Sequence, residues 1–498
     1  MNTSSRVRKS RDTWKSKAVG RASTGRDQRR QIRSGLRREA ALAARLAALH
    51  REFDDFRTAS VPARQEPRVL AVQEAAAVRI TCVLLVIIGV IPFRAAPRCL
   101  QIAQPTAAWV PHFTSVINWT MRLGLALLQG VAPIDEPWIA LVDMSIDLAV
   151  KKVMVVLRVP LAALNKRGSA LTLEDCEVVG LKVAETWKGE DVAEALTATF
   201  KISGAPVAIL KDGGLDLKRG VEIYRAANPA SKKMHVIEDV GHVAANALKA
   251  EFASLKPFKN FLKAITKGAA KLRQSALAYL TPPKLRTKGR FMGITRLAEW
   301  AEKILPLLGG RGRVPDDTLA AELRRMLGGL GHHRLFLDRF ISNCQVTRDF
   351  LEIAKDKGVN QESYRAMKAE LAKLTIDNPV RVRLERFLGR QLRIQSQLGI
   401  GQMPLPVSSD ILESLFGKFK VVVARNTKAE FNQNVLTIPC LCGKLTASGV
   451  AAALTRVNQR SLESWVQVSV AETQWQRRAA FNRGELRPET VPKAGKRK

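Results

Sequence analysis

The chain has no uninterrupted apolar run of the roughly 20 residues that a membrane-spanning helix needs. Its most apolar stretch, Thr81 to Pro92 (TCVLLVIIGVIP), is bounded by Arg79 and Arg94 and reads as a buried helix. No apolar core follows the basic residues within the first 30 positions, so no secretory signal is expected and the cytoplasm is the default location. Cysteine is sparse, with six thiols at 82, 99, 176, 344, 440 and 442 in 498 residues. Only Cys440 and Cys442 are close. One intervening residue is not the two-residue spacer of a zinc knuckle and no His pair lies near, so all six read as structural thiols. There is no GxxxxGK[ST] loop and no GxGxxG after a strand, which argues against a nucleotide cofactor. Acid is also in short supply: 45 Asp+Glu against 81 Lys+Arg leave a net charge of +36. That implies a polyanionic partner. The excess is spread along the whole chain instead of flanking one apolar anchor, so nucleic acid fits better than a membrane.

What remains is a globular composition, 46% hydrophobic and 25% charged, in a chain too long for one core. Residues 1–65 form a basic helical region, with Gln28 to Phe53 patterned as a charged helix carrying Leu and Ala on one side. Residues 66–132 contain two apolar helical runs and a third, Phe113 to Gln129, for which Thr114 or Ser115 would be the N-cap. The order suggests a helix-turn-helix with Asn118, Trp119 and Arg122 near a groove. The link Gln104 to His112 is longer than the usual turn, so a small bundle packing on the next domain is the alternative. From Trp138 the texture changes to short apolar runs: WIALVDMSIDL, KKVMVVLRVPL, EVVGLKVA, APVAILKDGG and MHVIEDVGH. These read as five strands, with helices between the third and fourth and after the fourth, in a region spanning 133–254. Residues 255–405 are helical in character, broken at TPPKLRTKGRF (Thr281 to Phe291) and GGRGRVPDD (Gly309 to Asp317). Residues 406–482 resume with the helix DILESLFGKFK and further helices, and 483–498 form a basic tail expected to be disordered.

Three carboxylates stand out. Asp143 interrupts an apolar strand, where ionisation is costly unless the side chain faces a cation or an edge. Asp212 ends the strand VAILK and is followed by Gly213 and Gly214, which permit a sharp exit and close approach of a substrate backbone; in open α/β sheets, ligands gather outside strand ends. Glu413 lies in the first turn of a helix whose apolar side is Ile411, Leu412, Leu415 and Phe419, and Lys420, seven residues on, returns to nearly the same side. Three such carboxylates would hold two divalent ions, and Lys420 would contact a phosphate. The plainer alternatives are a strand turn bounded by Asp143 and Asp147, an ordinary Asp-Gly-Gly turn, and a capping box formed by Asp410 and Glu413.

From Trp119 to Lys420 the chain resembles bacterial insertion-sequence transposases of the DDE class, on the motifs LVDMSIDLAVKKVMVVL, GAPVAILKDGGLDLKRGV and SSDILESLFGKFK. The resemblance implies an α/β RNase H-like catalytic domain: a mixed five-stranded sheet with helices, interrupted by a large all-α insertion and preceded by an all-α N-terminal DNA-binding region. It implies Asp143, Asp212 and Glu413 as catalytic metal ligands for two Mg2+ or Mn2+ ions, with Lys418 and Lys420, Arg122 and Asn118 on DNA. Asp239, His242 and Asn246 in EDVGHVAANALK resemble a support motif of Mutator-like and hAT-like transposases, whose helical insertion 255–405 also resembles. Local hydrogen bonding of this His and Asn is the alternative. The Tyr-x-x-Arg-x-x-x-Glu signature of one insertion-sequence group is absent, since Pro406 and Ser409 occupy its positions. Trp300 is expected in a core, with stacking on a flipped base as the alternative. The implied function is recognition of element ends, cleavage and transfer of 3′ ends to target double-stranded DNA by a homo-oligomer in a bacterial, nucleoid-associated setting. A nuclease without strand transfer and a DNA-binding protein without catalysis remain alternatives.

Overall fold

The computed structural model describes residues 40–41, 44–45, 47–52, 67–104, 109–148, 151–167, 171–285, 290–308, 319–327, 330, 333–423, 431–470 and 472–485. The chain divides into two compact units, Met1–Trp119 with Leu445–Arg456, and Thr120–Lys444 with Val457–Lys498. Of the charged helix expected over 28–53, the described residues between 40 and 52 are helical, while 28–39 and 53 lie outside the described residues. The expected tail from 486 onward and the Gly-rich break 309–317 also lie outside them.

The first unit contains α1 (Pro67–Ile87), α2 (Ala96–Ala103) and the start of α3 (Phe113–Gln129), whose residues from Thr120 on belong to the second. The apolar stretch from Thr81 is a buried helix end, with Cys82, Val83 and Val86 fully excluded from solvent. Helix α3 begins one residue before the expected cap. His112 takes the capping place: its carbonyl accepts from Ser115 N at 3.0 Å and its Nδ1 lies 2.8 Å from Thr114 Oγ1, so both hydroxyl residues sit inside the first turn. Trp119 is not at a groove. It is buried, edge-on to Trp109 at 5.9 Å between ring centroids, with the Arg79 guanidinium 5.9 Å from its ring, because an indole covers more apolar area inside than out.

The second unit is organised by one mixed sheet. Strands β1 (Trp138–Leu148), β2 (Lys151–Pro160), β3 (Glu177–Ala184), β4 (Ala208–Lys211) and β5 (His235–Glu238) lie in the order β3-β2-β1-β4-β5. The β1–β2 and β2–β3 pairs are antiparallel; β4 runs parallel to β1, and β5 parallel to β4. The five apolar runs are the five strands, and the mixed five-stranded sheet is the one that the resemblance implied. Short helix α4 (Leu161–Arg167) follows β2, and crossover helices α5 (Gly189–Ser203) and α6 (Leu215–Ala227) bring the chain back to parallel strands. Trp138, Ala140 and Val142 of β1 pack with Val192, Leu196 and Phe200 of α5 and Leu217, Val221 and Tyr224 of α6. Side chains alternate across a strand, so Ile139, Leu141 and Asp143 belong to the opposite face.

Helix α7 (Val240–Phe252) leads into a helical segment: α8 (Lys256–Arg273), α9 (Ile294–Ile304), α10 (Leu319–Leu327), α11 (Arg334–Lys357), α12 (Gln361–Leu371) and α13 (Pro379–Gln397). Phe252, Phe258, Phe261, Phe336 and Phe340 interlock at its root, with centroid spacings from 5.3 to 6.3 Å. The chain returns through α14 (Asp410–Val423), which buries Leu412, Leu415, Phe416 and Phe419 and packs against β1. None of these four belongs to the core shared with α5 and α6. Helix α14 therefore covers the face of β1 that carries Asp143. Helices α15 (Thr437–Cys440), α16 (Ala447–Arg456), α17 (Gln459–Ser469) and α18 (Gln474–Asn482) complete the described chain. All six cysteines are free thiols, and Cys99 alone is not buried. Burial pushes the Cys82 and Cys176 thiols up to about 12, as inert structural thiols require. Among the described residues, no helix is long and apolar enough to cross a membrane.

Candidate active site

Pairing register brings three aspartates to one level. Val142 of β1 pairs with Lys211 of β4, and Lys211 with Glu238 of β5. The next residue in each strand direction is Asp143, Asp212 or Asp239. Beyond Val142, β1 keeps its antiparallel partner, with Asp143 opposite Val155, but its parallel neighbour has ended. Asp143 is thus inside a strand and not in a turn, at the point where the sheet opens on one side. That is the carboxyl end of the parallel strands, the place where α/β sheets collect ligands.

Each aspartate is held differently. Asp212 turns back on its own loop, accepting from Gly214 N through Oδ1 at 2.8 Å. A β-carbon at Gly214 would fall 2.9 Å from that oxygen, which is why glycine stands there. Gly213 lies against α7: a β-carbon on it would meet His242 Cβ at 3.5 Å and Asn246 Nδ2 at 3.6 Å. Asp239 is the N-cap of α7, accepting from His242 N at 2.8 Å through Oδ1. Its other oxygen, Oδ2, accepts from Ser409 N at 2.8 Å and Ser409 Oγ at 2.9 Å. Val240 N donates to Val407 O at 2.8 Å. These bonds fasten the segment 407–409 to the end of β5, one residue before α14 starts.

His242 links two of the acids. Its Nδ1 lies 3.2 Å from Asp239 Oδ1, and its Nε2 3.9 Å from Asp212 Oδ2. The hydrogen bond to Asp239 raises the imidazole pKa above its ordinary value; burial opposes this, and the charges of Asp239, Asp212 and Asp143 add to the rise. Burial pushes the Asp143 carboxyl up to about 7, and the neighbouring charge of Asp212 contributes in the same direction. At Asp239 burial also disfavours the anion, but the hydrogen bonds from His242 and Ser409 outweigh it and hold this carboxyl below its usual range. Asp239 is therefore the committed anion and Asp143 the one lacking a cation.

Glu413 sits in the first turn of α14 with its side chain exposed, and Lys418 and Lys420 are exposed further along. A β-carbon at Gly417 would meet no atom within 4 Å, so the helix surface between Glu413 and Lys420 is bare. Asp410 is taken by Lys355, whose Nζ lies 2.8 Å from Oδ2. Among the described residues, no three His, Cys, Asp or Glu side chains form a preassembled metal-binding group, and Glu413 does not complete one with Asp143 and Asp212.

The remaining sequence candidates are engaged in packing or at the margin. Arg122 donates from Nε to Val457 O at 2.7 Å, and Asn118 is half-buried on the same helix. Trp300 is partly buried and donates from Nε1 to Leu280 O at 2.7 Å, as a core tryptophan would. Asn246 is exposed beside the Asp-Gly-Gly loop. Two residues were not foreseen. Ser409 supplies both donors to Asp239 Oδ2. Lys211, buried beside the acids, donates from Nζ to Asp212 O at 3.2 Å, and burial lowers its pKa although Glu238 and Asp212 pull the other way. A basic residue ending an otherwise apolar strand one position before Asp-Gly-Gly was the visible signal for Lys211; the Ser409 bond had none.

No family model matches the chain, and no curated protein matches it. Among solved structures it is similar to one described as a Drosophila P element transposase strand transfer complex, at 13% sequence identity and a TM-score of 0.41, with 82% of this chain and 96% of that chain covered.

Proposed function

We propose that the protein is a DNA transposase, a divalent-metal-dependent polynucleotidyl transferase of the DDE type that cleaves at element ends and joins 3′ ends to target DNA. The observation that carries this reading is the level shared by Asp143, Asp212 and Asp239 at the open end of the parallel strands, with the Glu413 helix covering the same face as Asp143. Net charge of +36 supports a nucleic-acid partner.

The donor set fits hard divalent cations. Burial and mutual repulsion oppose ionisation of Asp143 beside Asp212, and an oxygen-seeking dication relieves both. Asp143 and Asp212, with Glu413, would hold two Mg2+ or Mn2+ ions, which when bound supply an activated water or 3′-hydroxyl and stabilise the leaving oxygen. The chain's own residues do the positioning. His242 orients the Asp212 carboxylate from its Nε2 side. Asp239 fixes the His242 ring through Nδ1 and, through Ser409, the start of the helix that bears Glu413. Lys420 offers a cation for a phosphate oxygen beside the cut.

The test is purified protein with element-end DNA and Mg2+ or Mn2+, comparing wild type with Asp212→Ala and Glu413→Ala for nicking and joining. The reading expects wild type to cut and join, and both variants to bind DNA without cutting. Cutting without joining would make the protein a nuclease; undiminished cutting by both variants would remove these residues from the chemistry.

A further inference from the structure

We propose that the arginine face of α13, formed by Arg383, Arg386, Arg390 and Arg393, is a track for the phosphate backbone of the DNA that enters the carboxylate site. The inference rests on the reading of the protein as a DNA-processing enzyme and assigns a surface that the sequence motifs did not mark.

The four arginines fall at i, i+3, i+7 and i+10. With 3.6 residues per turn they occupy an arc of about 80°, over a helix length of about 15 Å. All four are exposed, whereas Leu384, Phe387, Leu388 and Gln391 on the other side are buried. One acid lies on the helix, Glu385, and it is taken by Arg381 at 3.0 Å. Arg390 anchors the stripe to the site: its Nη2 lies 2.8 Å from Glu238 Oε2, one residue before Asp239. Arg383, Arg386 and Arg393 make no ion pair among the described residues.

Like charges three and four residues apart on a helix repel. A row of them in which Arg390 is paired with Glu238 and the other three make no ion pair among the described residues is a surface that an external polyanion completes. Guanidinium groups suit phosphate in particular, since their planar fork donates to two oxygens at once. A bilayer is the poorer fit, because Leu384, Phe387 and Leu388 of α13 are buried and Val382 is the one large apolar side chain of this helix that is exposed, too little for an apolar face beside the arginines.

The probe is a fluorescein-labelled DNA duplex with a single-stranded overhang, bound in the presence of Ca2+ in place of Mg2+ and followed by anisotropy across a salt series. The variant Arg383→Gln/Arg386→Gln/Arg393→Gln leaves Arg390 and its ion pair intact. The control Lys259→Gln/Lys263→Gln/Lys267→Gln removes the same charge from exposed positions on α8. Loss of three phosphate contacts should weaken binding about tenfold or more and lower the log–log salt slope by about 2 to 3. The α8 variant should bind as wild type does, and circular dichroism should be unchanged for both.

Equal losses in the two variants, or wild-type binding by the arginine variant, would overturn the track while leaving the functional reading in place. Absence of DNA binding by wild type would sink both. Loss of sedimentation with phosphatidylserine vesicles, but not of DNA binding, would assign the face to a lipid surface instead.

Discussion

Replacing Asp143 by Asn should make the metal-free protein more stable, by an amount that depends on pH. Asp143 has its carboxyl pKa raised from 3.8 to about 7 in the folded state. An acid raised on folding contributes stability fully below its unfolded pKa and loses it as pH rises through the folded value. The window is therefore about pH 4 to 7, with a slope of about 1.36 kcal/mol per pH unit. The difference of roughly 3 units corresponds to about 4 kcal/mol by pH 8. An Asn retains an acceptor for the Met144 amide that Asp143 uses, so most of that amount should appear as a gain for Asp143→Asn. The assay is urea unfolding of both proteins in EDTA at intervals from pH 4 to pH 8, read by fluorescence. The two should coincide near pH 4 and separate steadily above it. Added Mg2+ should then stabilise wild type at pH 8 and leave the variant unchanged, since binding to the folded state alone shifts the equilibrium. A gap independent of pH, or a variant less stable at pH 8, would refute the argument that Asp143 is an anion waiting for a cation.

Asp239→Ala should cost about 2 to 4 kcal/mol by removing a helix cap and stranding the Ser409 amide, with Ser409→Ala costing about 1 kcal/mol. Hydrogen exchange should localise the first effect to 240–252 and 407–413 together; protection lost only in α7 would contradict the link. His242 has a raised pKa through its bond to Asp239, so its stabilisation is complete below pH 6.5 and fades as pH rises through the higher folded value. His242→Gln should abolish that alkaline loss, which is tested by the same unfolding series continued above pH 7. Gly214→Ala should leave stability nearly unchanged but displace the Asp212 carboxylate, whose oxygen lies 2.9 Å from the added carbon. Titration calorimetry should find weaker Mg2+ binding for Gly214→Ala than for Gly213→Ala, and equal affinities would count against it.

Much of this architecture was legible because each strand is a compact apolar run. β3 is the sequence EVVGLKVA without remainder, and an aspartate inside WIALVDMSIDL is conspicuous where every neighbour seeks the core. Asp212 was readable from the two glycines behind it, and the structure gives each a reason in the carboxylate and in α7. What could not be read joins distant segments. Asp239 meets Ser409 across 170 positions, and Arg390 meets Glu238 across 152; neither partner carries a local pattern that names the other. Helix ends failed for a related cause. Thr114 and Ser115 have the right chemistry for a cap, but His112 makes the bonds and the helix starts earlier. Trp119 was misassigned to a groove because a helical pattern shows which residues share a face, not which face is buried.

The central claim, that Asp143, Asp212 and Glu413 ligate the same metal pair, is tested most directly by changing each to Cys and comparing DNA cleavage in Mg2+ and in Mn2+. A thiolate is a poor ligand for Mg2+ and a better one for the softer ion. Loss of cleavage in Mg2+ with recovery in Mn2+ for all three Cys variants is the predicted result. Cleavage that falls equally in both ions for Glu413→Cys, or that persists in Mg2+ for any of the three, would contradict the shared site.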